Sequence, residues 1–288
     1  MVICKCSYSF KLDGLMIRKL NFLCFLFICC LFTRISASSE IRVIHTLEEI
    51  PTSEFSAKTL VMFDLDDVLI YPQDALLQNW RSGWKPEGMR DWSAEEDTIA
   101  WMNAKFQIMD PFGPDLINLL NENGIPTIGF TSFAMDQSGL VKSIPDWRSS
   151  HLQELGINFK MEKETAFPIE NGFIPPSFEQ GVLYCGDFYK KDKDNKGKIL
   201  AIYLDWLGWN PDQVVLIDDG KHHLESVGKE LERRGIPFLG FHYIPKDLDP
   251  INEKVAKLQY ETIINQKHWL SDEEANQILP DEPLTVFE

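Results

Sequence analysis

Five short apolar runs, each ending in polar residues, constrain the fold of this chain more than any other feature. They are residues 60–63, 126–130, 181–185, 214–217 and 236–241. Runs that are apolar throughout are typical of parallel strands buried on both faces, with the polar residues at the carboxyl ends.

Amphipathic stretches lie between these runs. Residues 115–124 and 198–207 have apolar residues spaced by three and four, and residues 224–235 end in two arginines and a glycine, as helices commonly do. The alternation of strand and helix predicts a doubly wound, Rossmann-like α/β fold, with a mostly parallel sheet and helices on both faces. Ligands bind such sheets at the carboxyl ends of the strands.

Two segments are too long for plain crossovers. Residues 71–114 and 133–180 are predicted to be inserts in a core that spans residues 40–270. Each insert is a candidate cap, a segment that lies above the site. The first insert is rich in tryptophan, which either clamps the organic part of a substrate or, as we favour, forms the small core of the insert. Residues 271–288 are an acidic tail that we expect to pack loosely.

Two of the predicted strands end in acidic residues. Asp64 and Asp66 follow the first strand, and Asp218 and Asp219 follow the fourth. Carboxylates crowded at one sheet edge oppose each other's ionisation, and a divalent cation removes that conflict. The cluster therefore predicts a metal site. The alternative for Asp218 and Asp219 is a pair that caps the following helix.

These motifs resemble those of the haloacid dehalogenase (HAD) superfamily, phosphatase type. Residues 64–68 (DLDDV) resemble its first motif, Asp-x-Asp-x-Thr/Val. Thr131 resembles the second motif, Lys196 the third and residues 218–219 the fourth, in the same order along the chain. The resemblance covers residues 60–242. The chain is most similar in style to an uncharacterised branch of exported bacterial proteins in this superfamily.

The resemblance implies a magnesium-dependent phosphohydrolase. In the HAD scheme Asp64 attacks phosphorus and forms an aspartyl-phosphate, while Asp66 protonates the leaving oxygen and later activates water. Mg²⁺ is held by Asp64, the backbone carbonyl of Asp66 and Asp218, with Asp219 helping directly or through water.

The phosphate-binding residues that the resemblance implies are Thr131 and Lys196. Ser132 is an alternative to Thr131, and Lys198 is an alternative to Lys196. The implied substrate is a small phosphorylated molecule. Nucleic acid is an unfavourable partner, because the formal net charge is -16 and the pI is about 4.8.

Other functions are compatible with the same fold. The alternative is a catalytically inactive binding or scaffold protein of the envelope, against which the presence of both Asp64 and Asp66 argues. A second alternative is a carbon–halogen hydrolase. Because that chemistry uses one nucleophilic Asp without a metal, Asp66, Asp218 and Asp219 argue against it. A calcium loop requires alternating oxygens and a glycine, which residues 64–70 lack.

The first 39 residues are predicted to be a signal peptide. A basic head, an apolar run at residues 20–32 and a tail of small residues are its three parts, preceded either by an extended head or by a true start at Met16. The apolar run is shorter than the roughly 20 residues that span a bilayer, which predicts cleavage and no stable membrane anchor. The mature protein is then periplasmic or extracellular, and it is membrane-anchored if the leader is uncleaved. Cys185 is the one cysteine outside the leader, and we expect it to be buried.

Overall fold

The structure is a computed structural model that describes residues 38–78, 85, 88, 90, 92–132, 141, 143–160, 165–166, 175–186, 195–246 and 250–279. The predicted leader up to residue 37 lies outside the described residues. Within the described part, no helix combines the length and apolar composition needed to cross a membrane.

The described strands form one large sheet and a separate hairpin. The sheet consists of β1 (Ser39–Ile44), β2 (Thr59–Phe63), β5 (Thr127–Thr131), β6 (Thr165–Ala166), β7 (Ser177–Glu179), β8 (Val182–Tyr184), β9 (Gln213–Asp218) and β10 (Phe238–Tyr243). The hairpin consists of β3 (Ile70–Pro72) and β4 (Phe106–Ile108), which pair antiparallel. The strand order in the sheet is β1-β10-β9-β2-β5-β8-β7-β6.

Seven α-helices lie within the described residues. They are α1 (Ala94–Asn103), α2 (Gly113–Glu122), α3 (Ile144–Glu154), α4 (Lys196–Leu207), α5 (Lys221–Arg234), α6 (Glu253–Gln266) and α7 (Asp272–Ile278). Short 3-10 helices cover Leu47–Glu49, Thr52–Glu54 and Ala75–Gln78. Helices α4 and α5 end at Gly208 and Gly235, whose left-handed conformations stop a helix without the strain of a side chain.

The sheet separates two apolar layers. Val61 and Phe63 of β2 point into a layer that also contains residues of α2, α3 and α6. Leu60 and Met62 point into the opposite layer, with residues of α4 and α5. The strands from β1 to β8 in the sheet order pair in parallel. The predicted doubly wound α/β fold is therefore confirmed, and so are the five strands predicted from apolar runs.

Three strands of the large sheet were not predicted, and neither were the two strands of the β3–β4 hairpin. Strand β1 lies at the sheet edge with mostly exposed side chains, so it has no apolar run. It starts at Ser39, and the Phe238 N–H donates a hydrogen bond to the Ser38 oxygen at 2.8 Å. The leader boundary at residue 39 stays a prediction, and the first strand of the sheet begins at that residue. At the other edge, β7 pairs antiparallel with β8 and β6 pairs antiparallel with β7, so the second insert is in part sheet.

The acidic tail begins as a packed helix, contrary to our expectation of loose packing. Ala275 of α7 is fully buried. The Asp272 carboxylate accepts hydrogen bonds from the Ala75 N–H at 2.9 Å and from the Gln259 side chain at 2.8 Å. The Asp272 N–H donates to Asp74 at 3.0 Å. Helix α7 thus holds the first insert against α6, while residues 280–288 lie outside the described part.

Candidate functional site

The predicted acids meet at the carboxyl ends of β2 and β9. The parallel register pairs Phe63 with Ile217, which places the following residues, Asp64 and Asp218, side by side. The Asp64 N–H donates to the Ile217 oxygen at 2.9 Å and continues the ladder to the strand end. One carboxylate oxygen each from Asp64, Asp218 and Asp219 lie within 4.8 Å of one another. The expected neighbourhood of these strand ends is observed.

Lys196, the first residue of α4, lies at the centre of this cluster. Its side chain is fully buried. The Nζ atom is 3.0 Å from Asp64 Oδ2, donates to Asp218 Oδ2 at 2.7 Å and donates to the Phe130 oxygen at 2.9 Å. Three acceptors thus match the three hydrogens of the ammonium group. Lys198, the alternative, is exposed on the same helix.

Gly197 explains how Lys196 reaches the cluster. A Cβ at position 197 would lie 2.4 Å from the backbone oxygen of Ser226 in α5. Only a residue without a side chain allows this close approach of the two helices. The Gly197 N–H also donates to Ser226 Oγ at 3.2 Å. The start of α4 is therefore pressed against α5, beside the end of β9.

Burial and crowding determine the charges of the cluster. Burial raises the pKa of Asp64 well above its usual range, and Asp218 and Asp219 raise it further, against the effect of Lys196. Burial and Asp218 likewise raise the pKa of Asp219 to about 6. Burial alone would lower the pKa of Lys196, but Asp218 and Asp64 outweigh it and keep the pKa above its usual range. Three acids therefore share one permanent cation, and the raised pKa values favour the protonated forms of Asp64 and Asp219.

Asp66 lies outside this cluster. Its side chain is 34% exposed, compared with 10% for Asp64. Its carboxylate binds Arg148, whose Nη2 is 3.1 Å from Oδ1 and 3.3 Å from Oδ2. Two carboxylates that are two residues apart in the sequence thus have separate cationic partners. The metal ligand expected on Asp66 is its backbone carbonyl oxygen, and this role stays a prediction.

Arg148 is a residue that the sequence analysis missed. It is fully buried in α3, and its guanidinium carbon lies 4.8 Å from the ring centre of Trp147 and 5.1 Å from that of Phe106. No motif surrounds it in the sequence. The sequence indicated its role only indirectly, because Arg148 lies in the second predicted insert, next to a tryptophan.

The expected phosphate-binding residues lie at the end of β5. Thr131 is buried, and its backbone oxygen accepts a hydrogen bond from the Cys185 N–H at 3.1 Å. Ser132 is partly buried, and its Oγ is 3.5 Å from Nε2 of His223. Both residues directly follow Phe130, whose carbonyl binds Lys196. Their roles toward phosphate stay predictions.

His223 and Cys185 are buried beside the cluster. His223 is buried, and its ring centre is 3.9 Å from that of His222. Burial and the nearby Lys196 lower the pKa of His223 to about 2, which keeps the ring neutral. Burial raises the pKa of the Cys185 thiol to about 12, as suits the inert, buried cysteine that we expected.

The described tryptophans of the inserts pack as core residues. Trp92, Trp101 and Trp147 are partly buried against the apolar layer that contains α2 and α6. Trp80 and Trp84 of the first insert lie outside the described residues, as does Asp187. For the three described tryptophans, the structure therefore favours the core interpretation over the clamp.

Comparison with known proteins assigns the chain to a family. A model of the family described as "Protein of unknown function (DUF2608)" matches residues 40–276. The chain belongs to this DUF2608 family. An uncharacterised protein of Rickettsia prowazekii (strain Madrid E) is 25% identical to this DUF2608 chain over 234 residues, which cover 77% of the chain and 83% of the relative. A protein of Chlamydia trachomatis serovar D named "Putative outer membrane protein" is 26% identical over 253 residues, which cover 83% of the chain and 91% of the relative.

Two solved structures with HAD-like descriptions are also similar to this DUF2608 protein. One is a haloacid dehalogenase-like hydrolase from Streptococcus pneumoniae, with a TM-score of 0.35 and 15% identity, covering 71% of this chain and 91% of that one. The other is a HAD family hydrolase from Salmonella enterica serovar Typhi, with a TM-score of 0.31 and 14% identity, covering 65% and 68%. Because both TM-scores are below 0.5, we assign the fold from the strand order and packing described above.

Replacing Lys196 by Met should destabilise the protein strongly. The substitution leaves Asp64 and Asp218 buried without their cation, and removing one partner of a buried ion pair costs about 3–5 kcal/mol. We expect this loss in the free energy of unfolding by urea at pH 7.5 without divalent cations. The loss should be smaller at pH 5, because the raised pKa of Asp64 and of Asp219 allows these acids to take up protons.

Lys221→Met is the matched control, because Lys221 is exposed and its nearest acid, Glu225, is 3.5 Å away on the helix surface. A surface pair of this kind contributes about 0–1 kcal/mol. Equal losses in the two variants would contradict the assignment of Lys196 as the cation of the cluster.

Proposed function

We propose that this DUF2608 protein is a magnesium-dependent phosphohydrolase that uses Asp64 as its nucleophile. The observation that carries the proposal is the meeting of Asp64, Asp218 and Asp219 around the buried Lys196 at the carboxyl edge of the sheet. Ligands of doubly wound α/β proteins bind at this edge. The order of the four HAD-like motifs along the chain supports the same chemistry.

The donor set suits a hard divalent cation. Asp64, Asp218 and Asp219 offer carboxylate oxygens, the ligands that Mg²⁺ prefers, and the backbone carbonyl of Asp66 would complete the protein's share. Burial and the neighbouring carboxylates raise the pKa values of Asp64 and Asp219, and a bound cation would offset the repulsion between the acids. When bound, Mg²⁺ supplies charge neutralisation and orientation for the phosphoryl group.

The Asp64 carboxylate is held in one orientation. Its Oδ1 accepts a hydrogen bond from the Leu65 N–H at 2.9 Å, and its Oδ2 is 3.0 Å from the Lys196 Nζ. An oriented nucleophile is the main requirement of phosphoryl transfer, in which the attacking and leaving oxygens lie in line. We assign Lys196 the task of holding Asp64 in place and supplying positive charge, since its three hydrogens already have protein acceptors.

Both half-reactions require a proton carrier, and we assign this role to Asp66. Asp64 forms a bond to phosphorus while the bond to the leaving oxygen breaks, and that oxygen receives a proton from Asp66. Water then attacks phosphorus and gives its proton to Asp66, and the bond from Asp64 to phosphorus breaks. The 34% exposure of the Asp66 side chain suits a group that must exchange protons with substrate and water.

The remaining groups define the substrate side of the proposal. We propose that Thr131 and Ser132, at the end of β5, bind phosphoryl oxygens of a small phosphorylated substrate. We also propose that the protein is exported to the envelope, since a leader is predicted and the chlamydial relative is named for the outer membrane.

Asp64→Asn tests the proposed function. The purified protein should hydrolyse members of a phosphomonoester panel with added MgCl₂, and chelation of the metal should abolish the activity. Loss of the nucleophile should lower kcat by about 1000-fold or more. The exposed Asp115 of α2 provides the control, and Asp115→Asn should leave kcat unchanged. If the unmodified protein and Asp64→Asn are equally inactive on the whole panel, the inactive scaffold becomes the better description.

Binding of Mg²⁺ should depend on pH in a defined direction. The pKa of Asp219 is about 6 in the folded protein, above its usual value of 3.8, so the metal-free fold binds this proton more tightly than the unfolded chain does. Its contribution to stability is therefore greatest below pH 4 and declines as the pH rises through 6. A cation that replaces the proton should restore this stability above pH 6.

We accordingly expect MgCl₂ to raise the melting temperature more at pH 7.5 than at pH 5, as measured by differential scanning fluorimetry. In Asp219→Asn, the difference between the two pH values should shrink. A rise that is equal at both pH values in the unmodified protein would contradict a cation that shares the site with titrating acids.

A further inference from the structure

The ion pair between Asp66 and Arg148 joins two segments that are 82 residues apart in the chain. Asp66 follows β2 in the turn that leads to the β3–β4 hairpin, whereas Arg148 lies in the middle of α3. The Nη2 atom of Arg148 is within 3.3 Å of both carboxylate oxygens of Asp66. A charge-assisted contact of this kind holds the carboxylate at a defined position beside α3.

Aromatic rings hold the guanidinium in place. It lies against the rings of Trp147 and Phe106, at 4.8 Å and 5.1 Å from their centres. The same two rings pack on His151, each with centres 4.7 Å apart. Burial and Arg148 lower the pKa of His151 to about 4, so this ring adds no second cation at neutral pH. Arg148 is thus ordered by the fold before any substrate arrives.

The burial of the two partners is unequal. The Arg148 side chain is fully buried, whereas that of Asp66 is 34% exposed. Burying a guanidinium is costly unless it is paired, so a purely structural pair would be expected to bury the acid as well. Here the pair leaves one side of the carboxylate open at the edge of the sheet where Asp64 lies.

A backbone hydrogen bond closes the turn that follows Asp66. Asp67 has a φ of 63°, the left-handed region, and its N–H donates to the Ile70 oxygen at 2.8 Å. Asp66 directly precedes this left-handed residue, and Arg148 binds its side chain. Without a cationic partner, the carboxylate is free to turn toward other donors or toward the cluster.

We propose that Arg148 is a positioning residue that holds the Asp66 carboxylate outside the acid cluster, facing the leaving group of the substrate. This inference rests on the proposed function, because Asp66 is the proton carrier of that reaction. Arg148 acts on the reaction through the side chain of Asp66. Its loss should therefore impair protonation of the leaving oxygen much more than the attack by Asp64.

The leaving group distinguishes this role from a merely structural one. An aryl phosphate such as p-nitrophenyl phosphate has a leaving oxygen that needs little protonation, whereas an alkyl phosphate such as glycerol phosphate needs a proton donor. Arg148→Met should lower kcat for the alkyl ester by about 10- to 100-fold more than for the aryl ester. Arg148→Lys, which keeps the charge but not the planar fork, should show a smaller change in the same direction.

Two further variants make the test specific. In an Asp66→Asn background, Arg148→Met should lower alkyl ester hydrolysis no further, because the group that it positions is already absent. Arg234→Met is the matched control, since Arg234 also forms ion pairs, with Asp205 at 2.7 Å and Glu230 at 2.8 Å, but at the far end of α5. It should leave the ratio of the two substrates unchanged even if stability falls.

The hydrolase function and the positioning role of Arg148 can be tested separately. If Arg148→Met does not fold, Phe106→Leu removes one stacking ring and keeps both charges, and it should shift the substrate ratio in the same direction. If the unmodified protein shows no hydrolysis that depends on Asp64, the proposed function and this inference fall together. If it does, and every Arg148 and Phe106 variant lowers both substrates by the same factor, only the positioning role of Arg148 is overturned.

Discussion

The site depends on one buried ammonium group. Lys196 contacts Asp64, Asp218 and the carbonyl of Phe130, and so connects the ends of β2, β9 and β5 to the start of α4. Parallel strands bring acids to a common edge, but like charges in a buried place repel one another. The lysine offsets part of this repulsion, and in the proposed site a divalent cation would offset more of it. The closeness of α4 to α5, which Gly197 allows, is therefore part of the site as well as of the core.

The two acids of the first motif have different environments despite being nearly adjacent. Asp64 is buried, bonded by its own chain and by Lys196, and its orientation is constrained on both oxygens. Asp66 is more exposed and is paired with Arg148 from a distant helix. Separate partners for two carboxylates are a physical means of giving them separate tasks. In the proposed reaction these tasks are nucleophilic attack and proton transfer.

The sequence predicted the central part of the fold because that part is buried on both faces. Strands such as β2 and β9 must be apolar throughout, and their polar ends mark the edge of the sheet, so both the strands and the meeting of Asp64 with Asp218 follow from the pattern. Strand β1 was missed because an edge strand needs no apolar run. Helix α7 was missed because its acidic composition conceals the few positions, such as Ala275, that pack against the core.

Arg148 could not be predicted for a different reason. Its position depends on how an inserted helix packs over the sheet, and a single arginine carries no sequence pattern that reveals burial. The cations of the site thus differ in predictability: Lys196 belongs to an ordered set of motifs, whereas Arg148 is recognised only by its contacts with Asp66 and the aromatic rings.

A crystal grown with MnCl₂ would reveal whether Asp64 and Asp218 share one cation, since Mn²⁺ takes the same oxygen ligands and scatters anomalously. We expect one strong anomalous peak in contact with carboxylate oxygens of Asp64 and Asp218, with Asp219 bound directly or through water. If no peak lies there, or if peaks lie only at surface acids elsewhere, Asp64 and Asp218 do not share a cation.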